Sequence, residues 1–189
     1  MTAKVESERL VLRLWFLLHR TRDALRSCED KIFDKYGLTT EHYAVLSVMK
    51  LLDGRVRLVD LARWLERSPN SVSMIVDRMV KAGLVRRVRD KSDRRVVHVV
   101  FTNKGENALK PATMAGWEFI QEILSPLSYE DRHTLARLLE TLKYRAVGYL
   151  NPGTDIEEMK KDDITSRPDL MERLCQYISA STTEDKSSP

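Results

Sequence analysis

The sequence predicts a mainly α-helical protein in which a helix-turn-helix is followed by a two-stranded β-hairpin and flanked by long helices. Three observations lead to this fold class. Within residues 68–105 the spacing of apolar residues changes from three or four positions to two. Residues 7–35 and 103–125 carry apolar residues at helical spacing. Basic residues are concentrated in 55–105, the segment that contains the change of period.

The composition is that of a globular protein with a helical bias. Of the 189 residues, 42% are apolar and 32% charged. The sequence contains no run of about 18 apolar residues, so no membrane span is expected. Arg13 interrupts the apolar N-terminal stretch and no cleavage site follows, which argues against a signal peptide. Cys28 and Cys175 are too few for a disulfide scaffold, so we expect a cytoplasmic protein.

Positive charge is concentrated in one part of the chain. Residues 55–105 contain 13 Lys and Arg against 5 Asp and Glu, whereas residues 151–189 contain 5 against 9. A local excess of this kind is the footprint expected of a surface that binds a polyanion such as nucleic acid. A solvated Arg-rich surface is the alternative, and charge alone does not separate the two.

Two helices are predicted before the basic segment. The first, residues 7–35, has an apolar stripe at three- and four-residue steps. The second, residues 40–52, follows Thr39 or Thr40 as its N-cap. It is apolar almost all round, which is typical of a helix buried on more than one side. Residues 53–55 then predict a turn.

A helix-turn-helix follows. Its first helix, residues 58–66, repeats apolar residues at i, i+3, i+4 and i+7. Ser68 is a favourable N-cap and Pro69 a favourable first residue for the second helix, which Gly83 closes. Two short helices joined by a tight turn form this motif, and its second helix is expected to enter a DNA major groove. The residues expected to be buried in that helix are Val72, Ile75, Val76 and Met79.

The change of period then marks a β-hairpin. Residues 84–88 and 94–102 predict two antiparallel strands joined by a charged, turn-prone loop. In the second strand, Val97, Val99 and Phe101 fall on one face. The combination of a short amphipathic helix and a basic hairpin is therefore expected to form one binding surface.

Two more long helices are predicted after the hairpin. Thr102 is expected to cap the first, residues 103–125, and Pro111 should kink or break it. Ser128 and Asp131 resemble a capping box at the start of the second. These helices complete the flanking part of the fold.

The acidic tail, residues 151–189, is expected to be partly helical. Two capping-box patterns, Thr154 with Glu157 and Ser166 with Asp169, predict helix starts. The second precedes an amphipathic stretch whose apolar face should dock on protein, and the final residues are expected to be disordered. Packing on the dimer, binding a partner and shielding the basic hairpin are the alternatives for its role.

Residues 56–105 contain a series of short motifs in a characteristic order. They are LA at 61–62, SVS and VDRM in the second helix of the helix-turn-helix, GLV at 83–85, DRR at 93–95 and FTNKG after the hairpin. Together they resemble the winged helix-turn-helix of the MarR (multiple antibiotic resistance regulator) family of transcription factors. The order of helices extends the resemblance to about residues 7–148.

The resemblance implies a homodimer that binds double-stranded DNA. Its long first, fifth and sixth helices would intertwine, the second helix of the motif would lie in a major groove, and the hairpin, or wing, would reach a minor groove. The implied function is a sequence-specific regulator, a ligand-responsive repressor on a pseudo-palindromic operator. The domains so defined are 1–54 (dimerisation and core helices), 55–105 (winged helix-turn-helix), 106–150 (C-terminal dimerisation helices) and 151–189 (acidic tail).

Base contacts are expected from one face of the second helix of the motif. Asn70, Ser71, Ser73 and Met74 face away from its predicted core near the N-terminal end. Asn can pair with adenine, whereas Met makes only apolar contacts, for example with thymine methyl groups. The family often has Arg where Met74 stands, so a strong guanine contact is absent here. Arg78, one turn later, can contact phosphate or form a salt bridge within the domain.

In the wing, Arg94 resembles the family's minor-groove arginine and Asp93 the acid that braces a nearby Arg. A narrow A·T-rich minor groove attracts such a guanidinium because its negative potential is enhanced. A solvated charged hairpin is the alternative. The residues expected to reach phosphates are Arg86, Arg87, Arg89, Lys91 and Arg95.

An effector site is implied only by the resemblance. Members of the family often bind small aromatic or phenolic ligands near the dimer interface, between the first, second and fifth helices. Aromatic residues on an apolar stripe are also typical of plain core. The residues that could line such a site here are Trp15, His19, His42, Tyr43 and Trp117.

Other functions have less support. Cys28 resembles the first-helix thiol through which some relatives sense peroxide, but its place on the apolar stripe favours an inert buried thiol. The four histidines lack a ligand spacing, so neither a metal nor another cofactor is expected. The sequence contains no phosphate-binding loop, nucleophile elbow or convincing acid pair, so an enzyme is not expected. A winged-helix module for protein contact is the remaining alternative, and salt-sensitive binding to duplex DNA separates it from a regulator.

Overall fold

The computed structural model describes residues 3–90, 92–93, 96–161, 163, 172–173 and 175–179. It divides into two compact units, Met1–Ala112 and Thr113–Pro189. The boundary falls inside a helix, and each unit is described by itself. The elements in chain order are α1 (Ala3–Asp34), α2 (Thr40–Leu51), β1 (Arg55–Arg57), α3 (Leu58–Trp64), α4 (Pro69–Lys81), β2 (Val85–Arg89), β3 (Val97–Phe101), α5 (Asn103–Leu124) and α6 (Tyr129–Leu150).

The predicted fold class is confirmed: the protein is mainly α-helical, with a winged helix-turn-helix. In α2, Thr39 is the N-cap, and its Oγ1 accepts a hydrogen bond from the backbone N–H of His42 at 3.1 Å. Thr39 in turn donates its own N–H to Nδ1 of His42 at 3.4 Å, which completes a capping box. As its composition indicated, α2 is buried on several sides, through Val45, Leu46, Met49 and Leu51.

The helix-turn-helix forms as predicted. Ser68 Oγ accepts a hydrogen bond from the N–H of Ser71 at 3.2 Å, and Pro69 is the first residue of α4. Gly83 follows α4 with a φ of +72°, a conformation that favours glycine. The four side chains expected to be buried in α4, Val72, Ile75, Val76 and Met79, are at most 2% exposed.

The wing contains one strand more than the sequence predicted. The turn expected at 53–55 is shorter, because Arg55 begins β1, which pairs antiparallel with β3 through the register Val56 to Val99. β2 pairs with the other edge of β3, so the strand order is β1-β3-β2. β1 escaped notice because it is only three residues long, with a single buried side chain, and so shows no periodicity.

Thr102 positions the start of α5, and Pro111 lies inside this helix. Thr102 Oγ1 accepts a hydrogen bond from the N–H of Gly105 at 3.2 Å and donates to the carbonyl oxygen of Gly83 at 2.6 Å. Of the two effects expected of Pro111, the break is wrong, because α5 continues from Asn103 to Leu124 through it. A kink at this residue stays a prediction. The proline removes one backbone donor, but Leu109 and Ala112 on either side are at most 1% exposed, and their burial stabilises this turn.

The unit Thr113–Pro189 contains the end of α5, α6 and the described part of the tail. Ser128 caps α6 by accepting from the N–H of Asp131 at 3.1 Å, although its hydroxyl, rather than its backbone, contacts the Asp131 carboxylate. In the tail, residues 156–161 are helical. The cap predicted at Thr154 is instead formed by Asp155, whose Oδ1 accepts from the N–H groups of residues 157 and 158 at 3.0 Å each. The second predicted cap, at 166–169, lies outside the described residues.

The described tail packs on its own unit. The carboxylate of Asp163 accepts hydrogen bonds from Lys143 Nζ at 3.0 Å and from the Tyr144 hydroxyl at 2.8 Å, both on α6. Ile178 is only 8% exposed. With Trp117, Cys175 and Ser179 it lines a cavity of about 390 Å³. Leu170, Met171 and Leu174 of the predicted amphipathic stretch lie outside the described residues.

Candidate nucleic-acid interface

The N-terminal half of α4 presents the face from which base contacts are expected. Asn70 and Met74 are exposed, and Met74 is 66% exposed despite its apolar side chain. Ser71 and Ser73 are half-buried beside them. The opposite face of α4 is buried in the core, so the helix is held with this surface outward. The contacts that these four residues make with DNA stay predictions.

Strand β2 of the wing is joined to α4 by an arginine. Arg87 Nη2 lies 3.0 Å from Oδ1 of Asp77 and donates a hydrogen bond to Oγ of Ser73 at 3.2 Å. Its neighbours Arg86 and Arg89 on β2 are exposed. The guanidinium of Arg87 thus contacts two residues of α4, one of them a predicted base-reading serine. Asp77 was not among the residues predicted from the sequence, since nothing local relates it to Arg87.

The base of the wing is held by Asp90. Its Oδ1 accepts hydrogen bonds from the hydroxyl and the N–H of Ser92 at 2.5 and 2.8 Å. Its Oδ2 accepts from Arg55 Nη2 at 3.1 Å and lies 3.2 Å from Nε2 of His98. The hydrogen bonds from Ser92 first, then those from the Asp93 N–H and from His98, hold the pKa of Asp90 well below its usual range. The carboxylate therefore links β1, β3 and the start of the wing loop.

Asp90 is a site residue that sequence reasoning missed. The sequence assigned a brace to Asp93, and that role stays a prediction; the backbone N–H of Asp93 donates to Asp90 Oδ1 at 3.4 Å. An Asp two residues before a Ser is typical of a local side-chain turn and could have pointed to it. The partners from β1 and β3 could not be found this way, because they come from distant positions in the chain. Lys91, Arg94 and Arg95, three of the predicted wing contacts, lie outside the described residues.

Arg78 takes the salt bridge that the sequence left as one of two alternatives. Its Nη2 lies 3.0 Å from Oε2 of Glu41 on α2. The Arg78 side chain is nevertheless 59% exposed. A contact with phosphate stays a prediction, and the ion pair does not bury the guanidinium.

The residues expected to line an effector site have different surroundings. Trp15 is 60% exposed and makes an edge contact with His19, with ring centroids 4.5 Å apart. His42 belongs to the α2 capping box, and Tyr43 stacks on Phe33 at 4.1 Å as part of the core. Burial, followed by the charge of Arg78, lowers the pKa of His42. Trp117 belongs to the other unit, where it lines the cavity beside the tail.

The burial expected for Cys28 is wrong: the residue is exposed, as is Cys175. The reason is that α1 reaches the core only near its C-terminal end, through Phe33 and Ile32. Within the described part of the chain, no group of three or more His, Cys, Asp or Glu could hold a metal ion. No helix in that part is both long and apolar enough to cross a membrane.

A recognition helix with an exposed polar face, followed by a basic hairpin joined to it, defines the winged helix-turn-helix class of DNA-binding proteins. The MarR family model matches residues 36–96. The chain is also 31% identical over 147 residues to the transcriptional activatory protein BadR of Rhodopseudomonas palustris, a match that covers 74% of this chain and 81% of BadR. The protein belongs to the MarR family and is a DNA-binding transcription regulator.

Solved structures have the same fold. The organohalide-sensing regulator RdhR-CbdbA1625, in its 2,4-dichlorophenol-bound form, has a TM-score of 0.70 at 22% identity, covering 79% of this chain and 88% of that one. Reduced AbfR bound to DNA has a TM-score of 0.60 at 26% identity, covering 76% of this chain and 99% of that one. At 22% identity, the similarity to RdhR-CbdbA1625 shows a shared fold and nothing more.

Proposed function

We propose that the protein is a ligand-responsive repressor that acts as a homodimer on a pseudo-palindromic operator. The observation that carries this proposal is the outward face of α4 beside β2, with exposed Asn70 and Met74 next to the Arg87 contact. A single such surface reads a few base pairs, whereas two copies related by a two-fold axis read two half-sites about one helical turn apart.

The dimer is supported by apolar surface on α1. Val11, Trp15 and Phe16 are each at least 60% exposed. Apolar residues exposed over several helical turns usually mark a surface that another chain covers. In most homo-oligomers such a surface packs against a second copy of the same chain, related by two-fold symmetry.

α6 has the same property. It contains no buried residue, and Leu138, Leu139 and Leu142 are each 45–49% exposed. These leucines recur at three- and four-residue spacing, which forms a stripe along one side of the helix. The two helices therefore supply the apolar faces that a dimer of intertwined helices requires.

DNA reading divides between the two parts of the interface. The polar and apolar tips on α4 can meet base edges in a major groove, where each base pair has a distinct pattern. Arg86 and Arg89 on β2 can meet phosphates, which set register rather than sequence. We expect Arg94 to supply the minor-groove contact. Operator discrimination then depends on two serines, an asparagine and a methionine, without a guanine-reading arginine.

A small aromatic effector is the ligand class that we propose. Trp15 is exposed on α1 with His19 at its edge, an aromatic surface that a second copy of α1 or a flat ligand can cover. RdhR-CbdbA1625, with the same fold, is described as bound to 2,4-dichlorophenol. Trp15→Phe should then weaken the release of DNA by 2,4-dichlorophenol or another phenolic probe without weakening DNA binding itself.

The exposure of Cys28 favours redox sensing as a second candidate. A thiol that senses peroxide has to be accessible, and Cys28 is exposed on α1. Treatment with peroxide should then release DNA from the wild-type protein and not from Cys28→Ser. Equal responses of the two proteins would remove this candidate.

Footprinting on the DNA upstream of the protein's own gene tests the proposed function. We expect a protected region with two-fold symmetry, and lower expression from that promoter when the protein is present. Higher expression would contradict repression, and asymmetric or absent protection would contradict the dimeric operator.

A further inference from the structure

One carboxylate on α2 contacts three guanidinium groups from three places in the unit Met1–Ala112. Oε1 of Glu41 lies 3.6 Å from Nη2 of Arg26 on α1 and 3.1 Å from Nη1 of Arg67 in the turn between α3 and α4. Oε2 lies 3.0 Å from Nη2 of Arg78 on α4. Thus Oε1 contacts the arginines from α1 and from the turn, whereas Oε2 contacts the arginine of α4, the recognition helix.

The electrostatics of this cluster keep Glu41 ionised. Its side chain is 24% exposed, and burial by itself raises the pKa. The hydrogen bond from Arg67 and the charges of Arg67, Arg78 and Arg26 together outweigh burial, so the pKa lies below its usual value. A carboxylate whose pKa is lowered on folding contributes stability above its ordinary pKa and loses it only as the pH falls through the lowered value. The cluster is therefore intact throughout the neutral range.

The cluster leaves Arg78 able to bind a further group. A guanidinium has five N–H donors in a fixed fork, and the contact with Glu41 engages the Nη2 side. The Arg78 side chain remains 59% exposed on the same helix as the base-reading residues. An arginine fixed at one end can donate to a phosphate in one register only, whereas an unfixed arginine can follow any phosphate within reach.

We propose that Glu41 is a positioning residue for DNA recognition, which fixes Arg78 against the phosphate backbone and couples the position of α4 to that of α1. This inference rests on the proposed contact of α4 with DNA. Arg26 gives the coupling to α1, so a change in α1 alters the anchor of Arg78 through the same carboxylate. Asp30 supports this junction, since Thr40 Oγ1 donates to its Oδ1 at 2.5 Å.

Glu41→Gln should have two opposite effects on DNA binding. Loss of one negative charge beside three arginines strengthens binding to every duplex and steepens its salt dependence. Loss of the anchor weakens the preference for the correct register. The ratio of affinities for specific and nonspecific DNA should therefore fall roughly fivefold to tenfold, the order of one charge-assisted hydrogen bond.

Asp23→Asn is the matched control. It also removes one negative charge from the same unit, but the Asp23 carboxylate pairs with its chain neighbour Arg22, at 2.8 Å, and its side chain is 66% exposed. It should change the salt dependence slightly and leave the affinity ratio unchanged. Glu41→Asp keeps the charge and shortens the side chain, so it should lower the ratio without strengthening nonspecific binding.

The experiment uses the full chain and two probes: a duplex selected from a random pool by the wild-type protein, and a shuffled duplex of equal length and composition. Fluorescence anisotropy over a range of KCl gives both affinities for wild type, Glu41→Gln, Glu41→Asp, Asp23→Asn, Arg78→Ala and the double variant Glu41→Gln/Arg78→Ala. We expect Glu41→Gln and Arg78→Ala to lower the ratio, and the double variant to be no worse than either single variant.

Four results would count against this account. An unchanged ratio in Glu41→Gln, or additive losses in the double variant, would overturn the positioning role. A lower melting temperature with an unchanged ratio would also overturn it, because the role would then be purely structural. Failure of the wild-type protein to select any duplex would instead overturn the proposed function on which the inference rests.

Discussion

Arg87 on β2 and Asp77 on α4 form an ion pair, with Nη2 and Oδ1 3.0 Å apart. The same Nη2 donates to Ser73 Oγ at 3.2 Å. The pair joins β2 to α4, the recognition helix, and so helps to fix the orientation of the wing relative to that helix. This orientation matters because the two elements are predicted to contact different parts of the DNA. It also places a basic residue beside Ser73, which is predicted to contact bases.

Arg87→Ala should affect DNA binding more than stability. The two side chains are 36% and 53% exposed, and pairs of this kind contribute about 1 kcal/mol or less to the free energy of unfolding. If Arg87 also reaches a phosphate, the slope of log affinity against log salt should flatten by about one unit. Arg22→Ala, which removes an equally charged residue from an exposed pair on α1, is the control. Identical salt slopes for the two variants would exclude a phosphate contact of Arg87.

Gly105→Ala should destabilise the winged domain. A Cβ at this position would lie 2.1 Å from the backbone oxygen of Leu84, so α5 and the residue that precedes β2 would have to separate. Overpacking of this kind costs about 1–3 kcal/mol or more. Thermal unfolding measures the effect, and Gly148→Ala is the matched control, because its Cβ would meet only the Ile156 side chain at 3.8 Å. Equal melting temperatures for the two variants would contradict the close contact between the Leu84 backbone and α5 at Gly105.

Helix starts could be predicted from the sequence because capping is local. Thr39, Ser68 and Ser128 cap the helices that their positions indicated, since each side chain bonds a backbone N–H three residues away. In the tail the local signal was ambiguous, as Thr154 and Asp155 are adjacent and both are good caps. The structure has Asp155 in this role.

The contacts between elements could not be predicted in the same way. Glu41 and Arg78 are separated by 37 positions, and Arg55 and Asp90 by 35. Such pairs depend on how helices and strands pack, and a charged residue on a helix surface gives no sign of its partner. The family resemblance predicted which surface meets DNA, while the residues that hold this surface, Glu41, Asp77 and Asp90, follow only from the structure.

Sedimentation at micromolar concentration should give about twice the chain mass of 21.9 kDa. The reason is the apolar surface on α1 and α6, where Phe16 is 64% and Leu142 49% exposed. Phe16→Glu should shift the protein toward the monomer, because it places a charge in the surface that the second copy covers. A monomeric wild-type protein would contradict both the dimer and the palindromic operator.

Truncation after Leu150 should lower the melting temperature and weaken DNA binding. It removes Ile178 and the Asp163 carboxylate that contacts Lys143 and Tyr144. Asp163→Asn should reproduce part of the loss, about 1–2 kcal/mol. Glu157→Gln removes the same charge from an exposed pair with Lys160 and should change little.

The direction of the change in DNA binding separates two roles of the tail. Tighter and more salt-sensitive binding after truncation would mean that the acidic tail competes with phosphate for the basic wing. An unchanged melting curve together with an unchanged DNA titration would contradict a role of the tail in this protein's stability or binding.

The central claim is that α4 and the wing bind a specific DNA site, and a salt titration of the wild-type protein, Arg94→Ala and Lys91→Ala on a selected duplex tests it most directly. Arg94→Ala should lose roughly 1–3 kcal/mol of binding free energy on that duplex, as expected for an arginine inserted in a groove. Lys91→Ala should weaken binding to all sequences alike and flatten the salt slope by about one unit. Wild-type affinity in both variants at moderate salt would contradict the claim.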